Sequence, residues 1–167
     1  MPSQTRDDSR PDTWRHIETV RGLLNGVAVN LLGRAHRHDQ SKLVSPEVEV
    51  FDEFTPKLAE STYGSDEYKE FLKGMGVGLA HHYEANDHHP EHFDGGLADM
   101  GLLQLTEMLC DWIAATRRHN DGDIHRSIEQ NAERFGYGHG IKRLLHNSVD
   151  QILSAEQPTT ERTADHA

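Results

Sequence analysis

The chain has 167 residues, 28 acidic against 17 basic, a formal charge of −11 and one cysteine. That length suits one domain with a core of its own, and the charge opposes a long phosphate backbone, so a nucleic-acid polymer is not an expected partner. A lone Cys110 excludes an intrachain disulfide framework, no apolar run approaches the ~20 residues of a membrane span, and the N-terminus lacks a secretory apolar segment, so the expected location is the cytoplasm, away from membranes.

Residues 1–11 and 154–167 are polar and hold almost no large apolar side chains, which predicts two disordered tails around a helical domain over 12–153. Asp12 is the expected cap of a first helix over 13–35, along which His16, Val20, Leu23, Val27 and Leu31 fall at helical spacing. His16 is thereby expected to point inward. The polar stretch HRHDQSKL (36–43) ends that helix. Ser45-Pro46-Glu47 reads as the cap, first-turn proline and acidic first turn of a short helix over 46–54, with a loop at 55–65 and a turn at Tyr63-Gly64. Ser65 or Asp66 caps a helix over 67–85, in which Gly74, Gly76 and Gly78 predict a bend or close packing. Residues 86–100 read as an irregular loop, followed by helices over 101–119, 123–134 and 138–153. No stretch alternates with strand period. The expected fold is all-α, a compact single-domain array of five to six helices.

Thirteen histidines, five of them between residues 81 and 92, raise the question of metal binding. His38 and Asp39 are adjacent after a long apolar segment. Asp111 lies among Leu109, Cys110, Trp112 and Ile113, where a carboxylate is costly unless paired, hydrogen-bonded or on a metal. Glu107, one turn earlier, is placed to support a ligating imidazole. Only one of His81 and His82 can easily face a helix's core side. At least two of the five clustered histidines are expected to lie outside any site. Each residue alone has an ordinary reading: a core histidine, a solvated loop pair, a polar surface. Their order along the chain is the stronger signal.

HDQSK (38–42) resembles the His-Asp-x-Gly-Lys signature of the HD-domain superfamily of metal-dependent phosphohydrolases. CDWIAAT (110–116) resembles the helix that supplies that superfamily's last aspartate, and HHYEAND (81–87) is similar to the His-His-Glu segment of its cyclic-dinucleotide hydrolases. The likeness spans residues 16–116, and the whole chain resembles an uncharacterised family of phage and bacterial proteins of this length. Ser41 stands where the signature has glycine. His88-His89-Pro90 replaces a Gly-Tyr-Pro element, which argues against cyclic-dinucleotide hydrolysis.

The resemblance implies an HD-like fold in which His16, His38, Asp39 and Asp111 hold one metal, Asp39 bridging to a second. His82 or His81, with His88 or His89, would complete that second site, Glu84 and Glu107 standing behind the ligands. One or two divalent ions are implied, and nitrogen and carboxylate donors suit Mn, Fe, Co, Ni or Zn. The implied reaction is hydrolysis of a nucleotide or other small anionic phosphate ester by a metal-activated water. Lys42, with Arg15 or Arg37, would meet the phosphate. Two other readings stand beside it: a di-iron oxygenase, which the abundance of histidine favours, and a non-catalytic metal-binding protein. A helical domain of this size can also pair with a copy of itself.

Overall fold

A computed structural model describes residues 8–62, 65–118 and 122–156. Among these residues the chain is all-α, with six α-helices, three 3-10 turns and no strand. No described helix is long and apolar enough to cross a membrane. Most of the two expected tails, and the expected turn at Tyr63-Gly64, lie outside the described residues. What is described of the tails is partly helical.

Contacts divide the chain into two units, Met1–His38 and Asp39–Ala167. The first unit's described part is dominated by α1 (Arg10–Arg37), which starts three residues before the sequence suggests. Ser9 is its N-cap and Pro11 sits in its first turn, where a missing N–H costs nothing. Asp12 therefore lies inside the helix, not at its cap. The expectation that the His16 stripe is buried is not met: α1 has no buried residue, His16 is exposed, and Leu23 keeps 68% of its surface. One helix has nothing within its own unit against which to bury a face.

The second unit opens with Asp39 and a 3-10 turn, Gln40–Leu43. Helix α2 (Glu47–Glu60) then continues through Pro56, six residues beyond the predicted end. The loop expected from residue 55 is thus helical as far as Glu60. Packing on α3 (Asp66–Ala85) accounts for this. A Cβ on Gly74 would lie 2.8 Å from the Phe54 ring, and one on Gly78 would lie 2.8 Å from the Val50 side chain. Contact over that length of α2 outweighs the proline's local preference. Gly76, between them, has φ 34° and ψ −105° and kinks α3. The three glycines thus serve both purposes expected of them, two for close approach and one for a bend. Ser65 caps α3, its hydroxyl accepting from the Tyr68 N–H.

Two 3-10 turns, Pro90–His92 and Gly96–Asp99, order the stretch read as an irregular loop. Helices α4 (Leu102–Thr116), α5 (Ile124–Phe135) and α6 (His139–Glu156) follow close to their predicted places. Asp123 caps α5 by accepting from the N–H groups of His125 and Arg126, and Gly136 ends it in the left-handed conformation. The core of the unit is built on these helices from Met108, Leu109, Ile113, Ile128, Leu145 and Val149. Tyr137 locks the α5–α6 corner by donating its hydroxyl to the Ile128 carbonyl at 2.6 Å.

The α2–α3 contact yields a first prediction. Gly78→Ala should destabilise the protein by about 1–3 kcal/mol, the usual cost of overpacking, despite alanine's better helix propensity. Gly26→Ala on α1, where the new methyl meets nothing within 4 Å beyond the adjoining backbone of its own helix, should be neutral or stabilising. Denaturant melts of the two variants check the contrast.

Candidate metal centre

Asp39 is the one non-glycine residue with positive φ among the described residues, at φ 57° and ψ 13°. Aspartate tolerates this left-handed state better than most residues, yet it costs on the order of 1–2 kcal/mol. The bend starts the 3-10 turn that carries Ser41 and Lys42. Lys42 Nζ donates to Asp39 Oδ2 at 2.6 Å and lies 4.9 Å above the Phe51 ring. The other carboxylate oxygen, Oδ1, is 3.4 Å from His82 Nε2 and 3.5 Å from His88 Nε2.

Three imidazoles converge there. His82 comes from the last turn of α3, and His88 and His89 from the segment that follows. His82 Nε2 and His89 Nε2 are 2.9 Å apart, and the His88 and His89 ring centres 4.1 Å. One ligand atom from each of Asp39, His82, His88 and His89 lies within 4.8 Å of all the others. An oxygen of Asp111, on α4, lies within 4.8 Å of one of Asp39. The hairpin between α3 and the histidine pair is held by Asn86, whose amide donates to the His82 carbonyl at 2.8 Å and to Ser41 Oγ at 2.8 Å.

Behind the imidazoles stand carboxylates. Glu47 is fully buried and accepts from His82 Nδ1 at 2.8 Å, His81 Nδ1 at 2.7 Å and the Ser41 hydroxyl at 2.9 Å. Burial pushes the Glu47 carboxyl up, but its bonds from His81, His82 and Ser41 together hold it below the usual range. Glu107 Oε1 is 3.3 Å from His88 Nδ1. With their Nδ1 sides turned to carboxylates, His82 and His88 carry their protons outward. Their Nε2 electron pairs face Asp39 Oδ1 instead.

Burial, then the nearby Lys42 charge, lowers the His82 pKa against the opposing pull of Asp39 and Glu47. Burial with His88 and His82 alongside lowers His89 to about 3, against the pull of Asp111 and Asp39. The lowered pKa values of His82 and His89, nitrogen atoms of three rings close to one carboxylate, and carboxylates beside the Nδ1 atoms of His82 and His88 form a donor set that fits a divalent transition metal.

The expected residues separate as follows. Asp39, Lys42, His82, His88, His89, Asp111 and Glu107 lie in this neighbourhood. His81 does not enter the four-residue cluster, because it shares Glu47 from the half-exposed side of α3. Glu84 is exposed. His92 lies outside as well, its ring facing the Tyr83 carbonyl at 3.0 Å. His16, Arg15, Arg37 and His38 belong to the first unit: Arg15 pairs with Asp12 on the exposed helix, Arg37 is exposed, and the His38 N–H donates to the Arg34 carbonyl where α1 ends.

Three residues around the imidazoles escaped the sequence reading. Glu47 looked like an ordinary acidic first turn, and no signal in the sequence marks it as buried. Asn86 looked like a loop residue. Ser41, a departure from the signature, turns out to connect Glu47 with Asn86.

Comparison with curated proteins and with solved structures found no match. One family description matches, a family of unknown function (DUF5662), and it does so over residues 5–157, all but the ends of the chain. The chain belongs to the DUF5662 family.

Proposed function

We propose that this chain is a metal-dependent phosphohydrolase of small phosphate esters. The reading rests on one observation: Asp39, a member of the Asp39–His82–His88–His89 cluster, lines a cavity of about 390 Å³ together with Lys42. The cavity is lined by Asp39 and Lys42 with Phe51, Tyr68, Trp112 and Arg126, a volume within the range of small-molecule sites. Its aromatic walls suit the organic part of an ester, such as a nucleoside. Lys42 and Arg126 suit its anionic part, and Arg126 lines the cavity without having been marked in the sequence.

Asp39, His82, His88 and His89 would hold a divalent ion, with Asp111 beside Asp39. Such an ion, when bound, lowers the pKa of a coordinated water and polarises a phosphoryl oxygen. The chain's own part is otherwise positional. Glu47 and Glu107 fix the imidazole tautomers, Asp39 orients Lys42, and the Phe51 ring steers the ammonium towards the cavity. Three imidazoles to one carboxylate also suit iron, which keeps a di-iron oxygenase as a second reading.

A panel of nucleotides and simple phosphate esters, assayed with added Mn with and without oxygen, tests the proposal. Phosphate release independent of oxygen supports it. Oxygen uptake dependent on ferrous ion, without phosphate release, replaces it with the second reading.

Lys42→Ala should keep its metal and lose about ten-fold or more in kcat/KM, the scale of a lost charge-assisted bond to phosphate. Wild-type kinetics in this variant would assign Lys42 to holding Asp39 alone.

A further inference from the structure

The cavity that Asp39 lines has two ends of different make. At one end Asp39 and Lys42 are largely covered, with 17% and 26% of their side-chain surface exposed. Helix α4 runs from there to the other end. An Asp111 oxygen lies within 4.8 Å of one of Asp39, Trp112 and Thr116 line the wall, and Arg118 stands seven residues beyond Asp111. At a helical rise of 1.5 Å per residue, that is roughly 10 Å along the axis. Helix α5 starts at the same end, since a Cβ on Gly122 would meet the Thr116 carbonyl. Its first turn adds Arg126 to the lining, exposed like Arg118.

Lys42, Arg118 and Arg126 line the cavity with Asp39 and Asp123, three cations to two carboxylates in a chain of formal charge −11. Both carboxylates are engaged. Asp39 Oδ2 accepts from Lys42 at 2.6 Å, and Asp123 Oδ1 accepts from the backbone N–H groups of Arg126 and His125 at 3.2 and 2.8 Å, which hold its carboxyl below the usual range. A guanidinium presents its N–H donors in one plane and pairs carboxylate or phosphate oxygens two at a time. Between the two ends the wall is aromatic, from Phe51, Tyr68 and Trp112. A cation at each end of an aromatic slot matches a ligand with an anionic group at each end of a flat body.

Building on the phosphohydrolase reading, we infer that Arg118 and Arg126 form a second anion subsite at the outer end of this cavity. The substrate is then a phosphate ester of an aromatic body that carries a further carboxylate or phosphate at the end away from the ester. Lys42 meets the ester phosphate and the two arginines meet the distal anion. Because both arginines are exposed, salt screens their pull.

Phenyl phosphate and 4-carboxyphenyl phosphate differ only in the distal anion, and their binding to the full chain tests the subsite. The chain has two tryptophans, so a Trp14→Phe background leaves Trp112, in the cavity wall, as the fluorescent reporter. Titrated in chelator at low salt, the carboxylated ester should bind about ten-fold more tightly, and the preference should shrink at high salt. Arg118→Gln and Arg126→Gln should each reduce the preference, and the double variant should remove it. Arg143→Gln, at an exposed arginine of α6, should keep it. Equal Kd for the two esters, or a preference that survives the double variant, would overturn the subsite. Phosphate release in Mn, followed on the same two esters, separates this from the hydrolase reading. A binding preference with no release from either ester would uphold the subsite and overturn hydrolysis. Release from both at equal kcat/KM would do the reverse.

Discussion

Asp39→Ala is expected to abolish turnover and to lower metal affinity by more than the ~10–100-fold that follows loss of an outer-shell partner. The carboxylate has three tasks that no neighbour can take over. Oδ1 faces His82 and His88 at 3.4 and 3.5 Å, Oδ2 holds Lys42 at 2.6 Å, and the residue itself sits at the cavity. Alanine also tolerates the left-handed backbone at this position less well than aspartate does. Asp39→Asn, nearly isosteric and better suited to that backbone, separates charge from conformation. It should fold like the unaltered chain and still lose metal. Asp87→Ala is the comparison, because Asp87 accepts from Gln104 Nε2 at 3.1 Å and stands outside the four-residue cluster. Equal losses in the Asp39 and Asp87 variants, measured as metal content and phosphate release, would show that Asp39 has no special role.

Glu47→Ala should be the most destabilising single change near the site, at about 3 kcal/mol. It strips the acceptor from His81, His82 and Ser41 at once, and the His82 Nδ1–H is left buried, a loss of the order seen when a buried polar network is broken. For a chain of this size that is a fall of roughly 6–12 °C in Tm. Metal affinity should fall with it, by about 10–100-fold, because the His82 tautomer is no longer fixed. Glu49→Ala, an exposed neighbour on the same helix, should stay within about 0.5 kcal/mol. Thermal melts in chelator and in Mn measure both parts of the effect. A Glu47 variant that melts like the Glu49 variant would mean that the buried carboxylate is dispensable.

How much of this the sequence could show varies with the physics involved. Helices α3 to α6 were legible because their caps are local: Ser65 and Asp123 accept from N–H groups two or three residues away, and Gly136 supplies a left-handed end. The end of α2 was not legible. Thr55-Pro56 is a local stop signal, and what overrides it is a long-range contact of Val50 and Phe54 with two glycines twenty and twenty-eight residues away. The placement of His16 failed for a related reason. An apolar stripe shows which face a helix would bury, and it cannot show whether anything in the same unit covers that face.

Within the candidate centre, residue types with few alternative uses in an apolar or crowded setting were visible: Asp39 beside a histidine, Asp111 in an apolar helix, the His88-His89 pair. The choice between His81 and His82 needed the helix's orientation on α2, because the two leave α3 about 100° apart and both reach Glu47. Glu47 itself was invisible, since an acidic residue in a helix's first turn has a sufficient local explanation. Tertiary structure gives it a second use, as the carboxylate that sets the proton on His82.

The central claim is that Asp39, His82, His88 and His89 are metal ligands. Elemental analysis of the full chain tests it most directly, after reconstitution with Mn or Fe and passage through metal-free buffer, with His82→Ala treated in parallel. One or two ions per chain, falling well below one in the His82 variant, is the expected result. Well under one ion per reconstituted chain, or the same content in both proteins, would contradict it.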